Sequence, residues 1–320
     1  MKKFLAILLA VVTMLVITAC GGQSTETDAA VSDRNPLYLY VDGTDVTDGK
    51  TAYADISEHF TQQTVAGNEF YATTLADLCA YDISTVQAVF FETTDGFVKY
   101  YDDLSKLYLL SQEQVEGEFC DITAQDGTAS YAVIVNEDGA EYVAGVCNIF
   151  MTTEKADFSV SVKVNGNEVG TLTIADFMKK TQVGEDKVAT AMYDGSFLYN
   201  GGDSTYEGRF LGIDMETMIC KLRDSMGLAD IPELADCTDI QFNGYVGMGV
   251  AAKETEVNTN YTTAADSDKY FGNVEFFCMY DGMVRNDPVK QTNIGLSAFI
   301  NGTGSKWITY NLTEINFVTQ

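Results

Sequence analysis

Thiols, imidazole and guanidinium do much of the nucleophilic, redox and metal chemistry of proteins, and in this chain they are few and scattered. The single histidine, His59 in Ile56-Ser57-Glu58-His59-Phe60, rules out bis-histidine haem ligation, histidine-rich zinc sites and the HExxH hydrolase pattern. A Ser-His-Asp triad would have only His59 to draw on, and no glycine-flanked nucleophile elbow accompanies it. The seven cysteines are Cys20, then Cys79, Cys120 and Cys147, then Cys220, Cys237 and Cys278. None forms a C-x-x-C pair, so neither a thioredoxin-like centre nor a cysteine zinc knuckle is indicated. Three thiols in each half leave one over, and no bridge is assigned. Cys278, inside Phe276-Phe277-Cys278-Met279-Tyr280, reads as a buried thiol acting as a small hydrophobe. The arginines are Arg34, Arg209, Arg223 and Arg285, and the formal charge is -28. So acidic a chain, with no basic cluster, is not expected to bind nucleic acid.

Cys20 stands apart because of what precedes it. Lys2 and Lys3 make a positive start, and the uncharged apolar run from Phe4 to Ile17 is shorter than the roughly 20 residues a membrane span needs. It reads as the apolar region of a signal peptide. The run ends in Ile17-Thr18-Ala19-Cys20-Gly21-Gly22, which resembles the bacterial lipobox. The resemblance implies removal of residues 1–19, lipidation of Cys20 and a place on the extracytoplasmic face of the cell membrane. Residues 20–37 are poor in large apolar side chains and read as a lipidated flexible tether.

Beyond the tether the chain repeats an order of parts. Tyr38 to Val46 alternates and turns at Asp42-Gly43, and Val160 to Val169 does the same at Asn165-Gly166; both are strong hairpin signals. A short helical element and further strands follow each hairpin. In the second half, Met215, Met218, Ile219 and Leu222 make a helical stripe closed by Gly227. Asp95-Gly96 and Asn243-Gly244 read as turns after the strands that precede them, and Glu113 to Asp121 as a solvated acidic loop. Strands outnumber helices without regular alternation, which predicts an α+β fold made of two strand-rich repeats, 38–157 and 158–320.

The order of these pieces is similar to the molybdopterin-binding domain of the sulfite oxidase family. The matching stretches are Val164-Asn165-Gly166, Gly170 to Phe177, Tyr206-Glu207-Gly208-Arg209-Phe210-Leu211 and Ser305 to Phe317, with Tyr71 to Leu78 and Phe90 to Phe97 in the first half. Catalytic members carry a molybdenum-ligating cysteine before the Tyr-x-Gly motif, where this chain reads Val188 to Phe197 with no cysteine, and Thr51 to Glu69 has none either. The resemblance implies a ligand site near Tyr71, Asp95, Tyr206 and Arg209. Arg209 would sit at the pocket rim, either holding an anion through a bidentate contact or pairing with one of the chain's own acids. The expected activity is non-catalytic binding of a small molecule or partner protein, with no cofactor and no metal. The alternative is a molybdopterin-dependent oxidoreductase using an unexpected thiolate such as Cys147 or Cys237.

Overall fold

Two-residue turns need a positive φ, which Asp and Asn tolerate and Gly accepts freely. At the tip between β1 (Tyr38–Val41) and β2 (Thr44–Asp45), Asp42 and Gly43 have φ of 45° and 76°. The same device recurs with Asn165 and Gly166, at 51° and 79°, between β11 (Ser159–Val164) and β12 (Asn167–Thr173). A computed structural model describes residues 34–79, 81–136, 141–154, 157–198, 205–245, 256–262, 274–280, 295–300 and 308–319. Cys20, the leader, Arg285 and the Ser305-Lys306-Trp307 step lie outside them.

After β1 and β2 the first half continues with α1 (Tyr53–Ile56), β3 (Thr61–Val65), β4 (Asn68–Thr73) and α2 (Leu75–Leu78). It closes with β5 (Ala88–Thr93), β6 (Val98–Tyr101), β7 (Leu107–Val115), β8 (Glu118–Asp121), β9 (Tyr131–Val135) and β10 (Tyr142–Thr152). After β11 and β12 come α3 (Ile174–Met178), β13 (Thr181–Val183), β14 (Asp186–Val188), β15 (Ala191–Leu198), β16 (Thr205–Asp214) and α4 (Met215–Cys220). The rest is β17 (Cys237–Tyr245), β18 (Glu256–Thr262), β19 (Val274–Tyr280), β20 (Ser297–Ile300) and β21 (Ile308–Thr319). The molecule is strand-rich, and its described helices are short, the longest being Met215–Cys220 with the π turn that continues it. None of the described helices is long and apolar enough to cross a membrane.

The strands make two large sheets. The ten-stranded first sheet runs β2-β1-β10-β9-β7-β4-β3, with β5 on β10, β6 on β5 and β8 on β7. The nine-stranded second runs β12-β11-β21-β20-β19-β16-β15, with β17 on β21 and β18 on β17. Strand for strand the path is the same. In each, the opening strand lies parallel to the closing one, Val41 opposite Met151 and Val164 opposite Phe317. In each, a bulge falls at the same step, between Tyr71 and Ala72 against β7 and between Leu211 and Gly212 against β19. Gly212 is required there, because a Cβ would come 1.9 Å from the Phe276 carbonyl oxygen. The first sheet adds the β7–β8 hairpin, and the second half adds the small β13–β14 hairpin.

Short polar side chains start the helices by accepting otherwise orphaned N–H groups. Thr74 caps α2 through Asp77 N–H, Thr173 caps α3 through Asp176 N–H, and Asp214 caps α4 through Thr217 N–H. The stripe Met215, Met218, Ile219 and Leu222 is buried as expected. After Cys220 the helix widens into a π turn over Lys221–Ser225, and Gly227 follows at φ 72°.

Three expectations are corrected. Arg34 and Leu37, read as tether, are buried, and Asn35 N–H and Leu37 N–H donate to Ala129 O and Thr51 O. Asn243-Gly244 is not a turn: both residues lie inside β17, opposite Asn258 and Val257. Glu113 to Asp121 is not a loop but the β7–β8 hairpin, turning at Glu116 and Gly117 with φ of 53° and 93°.

Strand β5 is buried along its whole length because its two faces serve different cores. Val89 and Phe91 join Ile149 and Met151 in the first half's core, whereas Phe90 and Phe150 join the larger core built mostly from the second half. Period-2 alternation therefore makes β5 and β10 a wall shared by both cores. An isolated bridge between Phe97, after the β5–β6 turn, and Ala191, at the start of β15, also joins the halves.

Candidate functional site

The polar centre of the molecule lies on that shared wall. Glu92, next to last in β5, is 4% exposed. A carboxylate so placed needs hydrogen-bond donors to offset its lost hydration. It has them on both oxygens. Asn148, opposite it on β10, donates Nδ2–H to Oε2 at 2.7 Å, and Arg209, reaching over from β16, donates to Oε1 at 2.5 Å. Arg209 keeps about half its side chain in solvent, 47% exposed. Arg209 thus pairs with one of the chain's own acids, in the other half of the molecule.

Cys147 completes the cluster. Its thiol donates to the Glu92 carbonyl at 3.5 Å. Burial first, and then the charge of Glu92, push the Cys147 thiol up to about 11, with Arg209 pulling only partly the other way. The free thiol is therefore the favoured form at neutral pH. Tyr40 stacks on Phe150 at 5.1 Å, and its phenol is raised by burial and by Asp45.

Asp95 sits at the edge of this cluster, in the turn after β5. Thr93 Oγ1–H donates to its carboxylate and also to Phe97 O, and Gly96 carries φ 79°. Turn chemistry accounts for Asp95. Tyr71 lies on β4 and packs edge-on against Phe119 at 4.7 Å, while its carbonyl accepts from Ser111 Oγ. It is bound into β4 and the β7–β8 hairpin, not into the Glu92 cluster. Tyr206 pairs with Phe197 in the β15–β16 ladder, and its side chain lies outside the described residues. Of the four expected positions, only Asp95 and Arg209 come near one another, both acting on Cys147. Glu92 and Asn148 were not anticipated. The available signal was a glutamate ending an apolar run, Ala88-Val89-Phe90-Phe91-Glu92.

The second sheet holds the same polar pair with its members exchanged. Asn243 on β17 donates Nδ2–H to Glu314 Oε1 on β21 at 3.0 Å, and Lys163 on β11 pairs with the same carboxylate. The strand registers put Glu314 in the place of Asn148 and Asn243 in the place of Glu92.

The stretch Val188 to Phe197, where the resemblance would put a metal-ligating cysteine, ends β14 and forms most of β15, paired with β16 and without a thiol. Cys237, the other alternative ligand, is buried, pushed up to about 11, and donates to Glu233 O at 3.5 Å. In this seam Arg209 is engaged by Glu92 and has Asp194 opposite it in the ladder. Among the described residues no group of three or more His, Cys, Asp or Glu is arranged to hold a metal. No protein-family model, curated protein or solved structure matches this chain.

Proposed function

We propose that this chain is a lipid-anchored protein of the extracytoplasmic membrane face, carrying two degenerate units of the sulfite-oxidase type that bind a small molecule or partner protein without catalysis. The observation that carries this reading is the state of Arg209. The cation that would greet an anionic cofactor is bound to a buried carboxylate, and the Cys147 thiol beside it is raised by burial and by that same carboxylate. Thiolate ligation and phosphate capture both need the opposite electrostatics. The common strand path of the two sheets supports a duplicated unit, and the leader ending at Cys20 supports the anchor.

The test is the full chain made in a host that assembles molybdopterin, with molybdenum counted per chain and the mature N-terminus weighed. The reading expects almost no molybdenum and a diacylglycerol-modified Cys20 as first residue. A ratio near one metal per chain would overturn the non-catalytic reading, and an unmodified Cys20 would overturn the anchor.

A further inference from the structure

The first repeat contains a built site for a guanidinium, and its occupant is the chain's own Arg34. The side chain is 1% exposed although it follows directly on a polar segment. Its Nη1 donates to Ser111 O at 2.9 Å and also to Ser130 O, and its Nη2 meets Asp121 Oδ1 at 2.5 Å. The plane lies over Tyr53 at 4.2 Å, with Tyr131 at 5.1 Å. Two carbonyls, one carboxylate and two aromatic faces suit a flat forked cation and would suit lysine poorly. The five partners come from four places in the fold: Tyr53 from α1, Ser111 from β7, Asp121 from β8, and Ser130 and Tyr131 from the entry to β9. The bulge on β7 positions Ser111 to offer its carbonyl inward rather than to the β4 ladder.

Among the described residues the second repeat shows no such cage. By register, Cys278 stands where Ser111 does and Leu296 where Tyr131 does, both buried and apolar. Counting back from the aligned opening strands, the counterpart of Arg34 is the exposed Asp157. The cage is thus a property of the repeat that follows the N-terminal segment. Arg34 is also the sole basic residue between Cys20 and Lys50.

We infer that Arg34 is a latch that fastens the end of the N-terminal segment to the first repeat and withdraws the segment's one arginine bond from arginine-directed proteases. Its consequence for retention at the membrane rests on the anchoring of Cys20; the latch itself does not. A protease needs the chain extended through its cleft, so the Arg34–Asn35 bond is open to attack only when the guanidinium leaves the cage. Hydrolysis would add water across that amide, leaving Arg34 with a carboxylate and Asn35 with a free amine.

The test uses the full chain, an arginine-specific protease under native conditions, and masses that report each arginine bond separately. The variants are Asp121→Asn, which removes the charge from the cage, and Tyr53→Leu, which removes the stacking face. The latch predicts that Arg34–Asn35 in the unaltered chain is cut far more slowly than in a urea-unfolded control. Each variant is expected to speed that bond by about 10-fold or more, as loss of a charged hydrogen bond or stacking partner implies, with cleavage at Arg209 and Arg223 unchanged. Cleavage of the unaltered chain at the unfolded rate would overturn the latch. So would variants that match the unaltered chain, or that speed all three bonds together, because the bond would then open only with the whole unit.

Discussion

The two sheets follow one path and bury different things. In the first, Phe90 on β5 and Phe150 on β10 face each other and fill the large core on the second half's side. In the second, the same two places hold Gln241 and Asn316, joined by Asn316 Nδ2–H to Gln241 Oε1 at 2.8 Å, with Asn316 also accepting from Gly166 N–H. One face is apolar because a neighbour covers it; the other is polar because its amides satisfy each other. The backbone path therefore does not decide which faces are core. Side chains at a few positions do, and they make the stacking of the repeats one-sided.

The strongest way to break that contrast is to truncate the two positions separately. Phe90→Ala should cost about 3–5 kcal/mol by chemical denaturation, the range for emptying a buried aromatic site, and Gln241→Ala about 1 kcal/mol. Equal costs would mean that the shared wall is not the asymmetric element. The next contrast is between Arg34 and its counterpart. Arg34→Ala takes the guanidinium from Ser111 O, Ser130 O and Asp121, of which Ser111 O keeps Ile122 N–H and Asp121 keeps Gln112 Nε2–H, and should cost about 3 kcal/mol. Asp157→Ala, at an exposed position, should stay within about 0.5 kcal/mol.

A third test concerns an addition to the second repeat alone. Where α2 stops at Leu78, α4 runs on into its π turn and buries Lys221, whose ammonium donates to the carbonyl of Lys179 at the end of α3. Burial lowers Lys221 to about 8, with Asp176 opposing and Lys179 assisting. Because the unfolded chain keeps this lysine protonated to a higher pH, the folded state binds fewer protons between about pH 8 and the ordinary lysine range. Its contribution to stability therefore rises with pH across that window and is flat below it. Because Cys147 and Cys237 are raised by burial and pull the other way over the same range, the rise is read as a difference: from pH 7 to 10 the unaltered chain should gain stability relative to Lys221→Met. The smallest effect is expected at the exchanged polar pair. Glu92→Gln keeps the shape but gives up the charge facing a half-exposed Arg209, for about 1 kcal/mol. Glu314→Gln should change stability by less, since Lys163 and Glu314 are both partly solvated.

What local sequence carries was legible. The Asp-Gly and Asn-Gly hairpins, the buried methionine stripe of α4 and the predominance of strands all depend on neighbours in the chain. Asn243-Gly244 misled because the same dipeptide that makes a tight turn also fits a strand. There Asn243 is held by Glu314, 71 residues away. Arg34 and Glu92 were hidden for a related reason. An arginine in a polar segment and a glutamate ending an apolar run look like surface residues until distant strands supply their partners. That Arg209 pairs with Glu92 could not be read locally either, because it depends on the approach of β16 to β5.

The proposed function requires the seam between the repeats to be a structural contact that holds no molybdopterin. Thermal unfolding of the chain purified from two hosts, one able to make molybdopterin and one not, tests it most directly, since a ligand that binds only the folded state raises the midpoint. The account predicts the same midpoint from both. A higher midpoint from the cofactor-making host, lost on mild acid stripping, would contradict it.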